Sequence, residues 1–196
     1  YQNTALGKSN FDLANSIMDC DIQSIIFEGP RKTLKQTQYT QPAIYIVSVI
    51  IGKLLLKKGL RPAALAGHSL GEYSALAIGE AFDFETGLNL VKLRAENMAQ
   101  AGRIQSGSMA AIIGLDEYRV SDLCQDYAGE GIVVAANFNS PGQVVISGTP
   151  EAVTTIMATA KSNGARMATQ LNVSGAFHST LMAATANATL VGSNQK

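Results

Sequence analysis

Gly67-His68-Ser69-Leu70-Gly71 stands between a short apolar run, Ala63 to Ala66, and a helix-forming run, Glu72 to Ile78. A serine with a glycine two positions away on each side, a strand before it and a helix after it, has the sequence form of a nucleophile elbow. The spacing predicts a turn too tight for a larger residue at either glycine. Such a turn sets the Ser69 hydroxyl at the carboxyl end of the strand and the amino end of the helix, where free backbone N–H groups can hold a developing oxyanion. The stretch points to an acyl-transferring serine enzyme.

On the C-terminal side, Gly79 to Phe82 reads as a turn, and Asp83 as the N-cap of a long helix from Phe84 to about Ala101. Leu88, Val91, Ala95 and Met98 recur at helical spacing and are expected to face a core. Arg94 lies one position from that stripe, beside Leu90 and Met98. An arginine drawn into an apolar surface needs an anion, which is either a ligand or an ordinary carboxylate partner such as Glu96 or Glu85.

On the N-terminal side, Gln41-Pro42 opens the most apolar segment, Ala43 to Leu56, with the proline expected in the first helical turn. Interrupted by Gly52 and Lys53, the segment is too short to span a bilayer and reads as a buried core helix ending in Lys57, Lys58 and Gly59. Lys53, Lys57, Lys58 and Arg61 cluster near the elbow strand, either as a solvated helix end or as a docking patch for an acidic partner. Further back, Phe11, Leu13, Ile17 and Met18 suit an amphipathic helix. Ile25-Ile26-Phe27 leads into the breaker Glu28-Gly29-Pro30, and Arg31 to Thr40 reads as a loop or short surface helix.

Past Ser108 the periodicity changes. Met109 to Ile113 reads as a strand, Asp116 to Ala128 as a helix and Ile132 to Asn137 as a strand. The loop Asn139-Ser140-Pro141-Gly142 leads to a strand from Gln143 to Ile146. Thr149-Pro150 is an N-cap and first helical position, opening a helix to about Asn163, and Arg166 to Val173 is a fourth strand. This β-α-β-β-α-β order is the ferredoxin-like motif. It predicts a subdomain over 107–173 inserted into a larger α/β subdomain formed by 1–106 and 174–196. Ala183, Ala184, Ala186 and Ala188 in the tail are compatible with a helix.

With 196 residues, 46% hydrophobic and 15% charged, the chain is of globular type and can bury a core without metal or disulfides. Basic and acidic residues balance at 15 each, which argues against a global nucleic-acid field. Cys20 and Cys124 fit no metal spacing and read as reduced thiols in a cytoplasmic setting.

A serine hydroxyl needs a base, and the chain has two histidines. His68 adjoins Ser69 on a sharp turn, where neighbouring side chains point apart, and is expected to be structural. His178, in the Gly/Ser/Ala-rich loop Ser174 to Ser179, is the candidate base. No carboxylate presents itself as a third member, so the reading is a Ser–His dyad, its imidazole oriented by a backbone carbonyl or another group.

Gln41-Pro42-Ala43, the elbow with Glu72-Tyr73-Ser74-Ala75, Arg94, Asn137-Phe138-Asn139-Ser140-Pro141-Gly142-Gln143 and Ala176-Phe177-His178-Ser179 occur in this order. With them the chain closely resembles the malonyl-CoA:acyl carrier protein transacylases, the acyltransferase domain family of fatty-acid and polyketide synthases, over essentially its whole length. The resemblance implies an α/β-hydrolase-like larger subdomain, the ferredoxin-like smaller one, and a cleft between them. It implies Ser69 as acyl-accepting nucleophile, His178 as base, Arg94 as holder of the malonyl carboxylate and the Leu70 N–H as an oxyanion donor. Gly175-Ala176-Phe177-His178 is similar to the malonyl-selecting form of this motif.

The substrates implied are malonyl-CoA and the phosphopantetheine thiol of acyl carrier protein, with no bound cofactor, no metal, no membrane or nucleic acid, and a monomeric, cytoplasmic protein. Family members also have a glycine–glutamine–glycine loop ahead of the region matched and further strands after the histidine. The chain is accordingly expected to be the middle two thirds of the domain, truncated at both ends. The competing expectations are a serine esterase or thioesterase using the same elbow, or an impaired domain that only binds carrier protein or coenzyme A.

Overall fold

The computed structural model describes residues 4–173 and 175–183, which fall into two compact units that divide between Asn97 and Met98. The expected helix over Ala184, Ala186 and Ala188 lies outside the described residues.

Among the described residues the first unit carries helices alone: α1 (Ala5–Met18), α2 (Ile22–Phe27), α3 (Arg31–Leu34), α4 (Thr37–Lys57), α5 (Gly71–Ile78) and the first part of α6 (Phe84–Ile104). Thr4 caps α1 by accepting from the Gly7 N–H at 3.1 Å, and Asp83 accepts from the Thr86 N–H at 2.7 Å at the start of α6. Those accepted bonds hold the Asp83 carboxyl below the usual carboxylate range.

The core joins Phe11, Ala14 and Ile22 to Tyr45, Ile46 and Val49 of α4 and to Leu88 and Val91 of α6. Tyr45 is fully buried, stacks on Phe84 and donates its hydroxyl to the Phe84 carbonyl at 3.1 Å. That satisfies the one polar atom it brings into the core.

α4 differs from the expectation at its start and agrees with it at its end. It starts at Thr37, so only α3, the short surface helix that is one of the two alternatives expected, stands apart within the Arg31–Thr40 stretch, and Pro42 sits inside α4 rather than in its first turn. A proline there costs one backbone hydrogen bond. Burial of Gln41, Pro42, Ala43, Tyr45 and Ile46 on one face offsets that loss. At this length, with a mean hydropathy of 1.5, α4 is long and apolar enough to cross a membrane by length and composition, yet one face is packed in the core. Gly52, which interrupts the apolar run, is where α5 comes closest: a β-carbon there would lie 2.4 Å from Ile78 Cδ1. At its end Gly59 takes the left-handed conformation (φ 96°) that stops a helix.

The expected strand before the elbow is absent. Residues 61–68 are exposed and pair with no strand among the described residues. A strand exists only through its ladder partners, so Ala63 to Ala66 remains a connection.

The second unit contains β1 (Ser108–Ile113), α7 (Glu117–Gln125), β2 (Val133–Ser140), β3 (Gln143–Gly148), α8 (Pro150–Ser162) and β4 (Met167–Gln170). Its sheet has the order β2-β3-β1-β4 and all pairings are antiparallel, which is the ferredoxin-like arrangement expected. Alternation along the strands divides the two faces. Ala110, Ile112, Val144 and Ile146 meet Val120, Val153 and Ile156 of the helices. Met109, Ala111 and Val145 point the other way and are covered by Phe177, with Met98 and Met182 against them. This packing sets Met98 and the segment around Phe177 in the second unit.

Smaller differences have local causes. β2 runs through Asn139 and Ser140, expected as loop, because the turn to β3 needs only Pro141 and Gly142 (φ 74°). Thr149 precedes α8 without capping it through its side chain, which instead donates to the Ile132 carbonyl at 3.4 Å.

Ile146 is fully buried between sheet and helices, so Ile146→Ala is expected to cost about 2–5 kcal/mol in equilibrium denaturation. Cys124 is buried and its thiol pushed up to about 11 by desolvation, whereas Cys20 is only partly buried. Alkylation of the folded protein at mildly alkaline pH is expected to modify Cys20 ahead of Cys124, as read by peptide mass mapping.

Candidate active site

The elbow is a strained turn. Ser69 has φ 53°, a left-handed conformation that a non-glycine residue adopts at a cost. The chain closes around it through Gly71 N–H to His68 carbonyl (2.9 Å) and Glu72 N–H to Ser69 carbonyl (3.3 Å) bonds. Gly67 is sterically required, since a β-carbon there would lie 1.9 Å from the Gly71 carbonyl carbon and 2.1 Å from the Glu72 nitrogen. Gly71 is not: a β-carbon there meets nothing within 4 Å. The expectation of a tight turn at both glycines is corrected to the first alone. The backbone folds back onto Gly67 from one side only.

Leu70 precedes α5, is buried, and has no side-chain cap on its helix. Its N–H lies at the positive end of the helix, next to the serine, where an oxyanion donor is needed.

Arg94, from the middle of α6, reaches Ser69. Its Nη2–H donates to Ser69 Oγ at 3.0 Å. Its Nη1–H donates to Gln41 Oε1 of α4, and its guanidinium carbon stands 5.9 Å from the centre of the Tyr73 ring on α5. Three helices thus converge on one guanidinium. Burial lowers its pKa, opposed by Tyr73 and Glu72, yet an arginine keeps its charge near neutral pH. The ordinary alternative of pairing with Glu96 or Glu85 is overturned: among the described residues the ion pair found is Lys92 with Asp19. Arg94 therefore brings a partly buried positive charge to the serine with a neutral amide and a hydroxyl as hydrogen-bond partners, and it retains further N–H donors.

Gln41 is the residue whose role the sequence did not disclose. It is buried at 8% exposure. A buried amide in an apolar helix needs a partner, and that was its signal. His178 belongs to the second unit, exposed, with φ 61°, in a short turn behind the buried Gly175, Ala176 and Phe177. Ser179 fixes that turn by donating to the Ala176 carbonyl at 2.6 Å and accepting from the Leu181 N–H at 3.3 Å. Of the basic cluster, Arg61 is spent on the end of α4, donating to the Leu56 and Leu60 carbonyls at 2.9 Å each.

Residues 12–192 match the acyl transferase domain family. The chain belongs to that family. It is similar to the malonyl CoA-acyl carrier protein transacylases of Synechocystis sp. (45% identity over 180 residues) and Bacillus subtilis (40% over 183 residues). These alignments cover 92% and 93% of this chain and 58% of each relative, so the chain spans less than two thirds of their length.

Among solved structures, an acyl carrier protein S-malonyltransferase from Vibrio cholerae superposes with a TM-score of 0.93 at 39% identity, covering 99% of this chain and 64% of that one. A malonyl-transacylase in complex with a type II polyketide-synthase acyl-carrier protein gives 0.92 at 37%, covering 99% and 63%. The expected α/β fold class is thereby shown.

Gly67→Ala is expected to lower the melting temperature and abolish labelling of Ser69 by an active-serine phosphonate, whereas Gly71→Ala retains both. Equal tolerance at the two positions would contradict the one-sided turn.

Proposed function

We propose that the protein transfers a malonyl group from malonyl-CoA to the phosphopantetheine thiol of acyl carrier protein through a malonyl ester of Ser69. The observation that carries the reading is the Arg94 guanidinium, held 3.0 Å from Ser69 Oγ with no ion-pair partner among the described residues. A planar guanidinium binds a carboxylate through two parallel hydrogen bonds, selecting malonyl over uncharged acyl groups by charge and shape. The names borne by the relatives support the same substrate pair.

In this mechanism His178 accepts the Ser69 proton as Oγ attacks the thioester carbonyl, and the Leu70 N–H holds the oxyanion. The C–S bond breaks and His178 returns the proton to the leaving coenzyme A sulfur. The carrier-protein thiol then repeats the steps in reverse, so the acyl-enzyme accumulates when that thiol is withheld. Both thioesters are substrates, and the reaction needs no resident cofactor. We assign the acidic carrier protein to the face bearing Lys53, Lys57 and Lys58, and the protein to the cytoplasm as a monomer.

With malonyl-CoA alone, intact-mass measurement is expected to show one malonyl adduct that disappears in Ser69→Ala. Arg94→Ala is expected to lower the malonylation rate about 10- to 100-fold, the weight of hydrogen bonds to a charged group. An adduct that persists in Ser69→Ala, or an Arg94→Ala variant with unchanged preference for malonyl over acetyl, would overturn the assignment.

A further inference from the structure

We infer that Gln41 sets the acyl selectivity of the site: its neutral amide oxygen fixes the Arg94 guanidinium beside Ser69 without taking up its charge. The inference rests on the proposed malonyl transfer and assigns a positioning role within it. Gln41 Oε1 accepts from Nη1 while Nη2 donates to Ser69 Oγ, so the two hydrogen bonds fix the plane of the fork from either side. The Tyr73 ring, 5.9 Å from the guanidinium carbon, adds a third restraint. Gln41 is itself held, being 8% exposed among the buried residues of α4.

The chemistry of the acceptor matters. A carboxylate at this position would pair with Arg94 in two-pronged geometry and occupy the surface that a substrate carboxylate needs. An apolar side chain would release a long, flexible arginine and leave its N–H groups unsatisfied. An amide orients the guanidinium and leaves the full positive charge for the incoming anion. The arrangement holds a charge with no ion-pair partner among the described residues, which an acyl chain ending in a carboxylate neutralises and an acetyl chain does not. In this role the effect of Gln41 on acylation passes through Arg94.

Acylation by malonyl-CoA and by acetyl-CoA, followed separately by intact mass in the wild type, Gln41→Glu and Gln41→Leu, tests this. Gln41→Glu keeps the size and the acceptor but adds the charge, and is expected to reduce the malonyl-to-acetyl rate ratio about tenfold or more. Gln41→Leu is expected to reduce the ratio comparably, because malonylation loses the oriented guanidinium and acetylation does not use it to bind a carboxylate. An unchanged ratio in both variants would overturn the role.

If the wild type is acylated by neither thioester, the proposed function fails. The positioning of Arg94 is then judged by arginine side-chain NMR. Resolved Nη1 and Nη2 signals that merge in Gln41→Leu uphold the hold on the guanidinium, and signals unchanged by the substitution refute it.

Discussion

The site depends on the hydrogen bond from Arg94 to Ser69, because it brings a charge that has lost water up to the elbow serine without an ion-pair partner among the described residues. Withdrawing a guanidinium from solvent is costly, and proteins ordinarily recover that cost with an acidic partner. The helices that meet at Arg94 offer an amide, a hydroxyl and an aromatic face. Each orients the charge, and Glu72 acts on it only from beyond ion-pair distance.

The packing of the first unit serves this convergence. Gly52 lets α5 lie against α4, so the elbow serine at the head of α5 and Gln41 on α4 face the same arginine. Tyr45 ties α4 to the start of α6 through the Phe84 carbonyl, and Gly87 leaves room for its hydroxyl, where a β-carbon would stand 2.1 Å away. Small residues at the helix contacts and one satisfied tyrosine thus decide where a charge several turns further along α6 arrives. The positive φ of Ser69 is the local strain that this packing maintains.

Much of this was legible beforehand, for reasons that differ by element. The ferredoxin-like unit could be read because each of its strands pairs within it and each helix covers it, so local periodicity and capping residues were enough to give the β-α-β-β-α-β order. The elbow could be read as a turn because Gly67 admits no side chain. The strand before it was misread because an apolar run records a tendency, and pairing requires partners that no described residue supplies. Arg94 was left between two readings, since i±4 spacing sets it beside Leu90 and Met98 at the border of the apolar stripe without saying which group its guanidinium meets. Gln41 escaped because its meaning lies in a contact with a residue far away in the chain.

If the guanidinium held beside the serine is what recognises the acyl group, it has to be found holding that group. A crystal structure of the protein after reaction with malonyl-CoA measures this directly. The account predicts the free carboxylate of a malonyl ester on Ser69 in two-pronged contact with Arg94, with Gln41 still accepting from the other side. An ester whose carboxylate faces solvent while Arg94 keeps other company would contradict it.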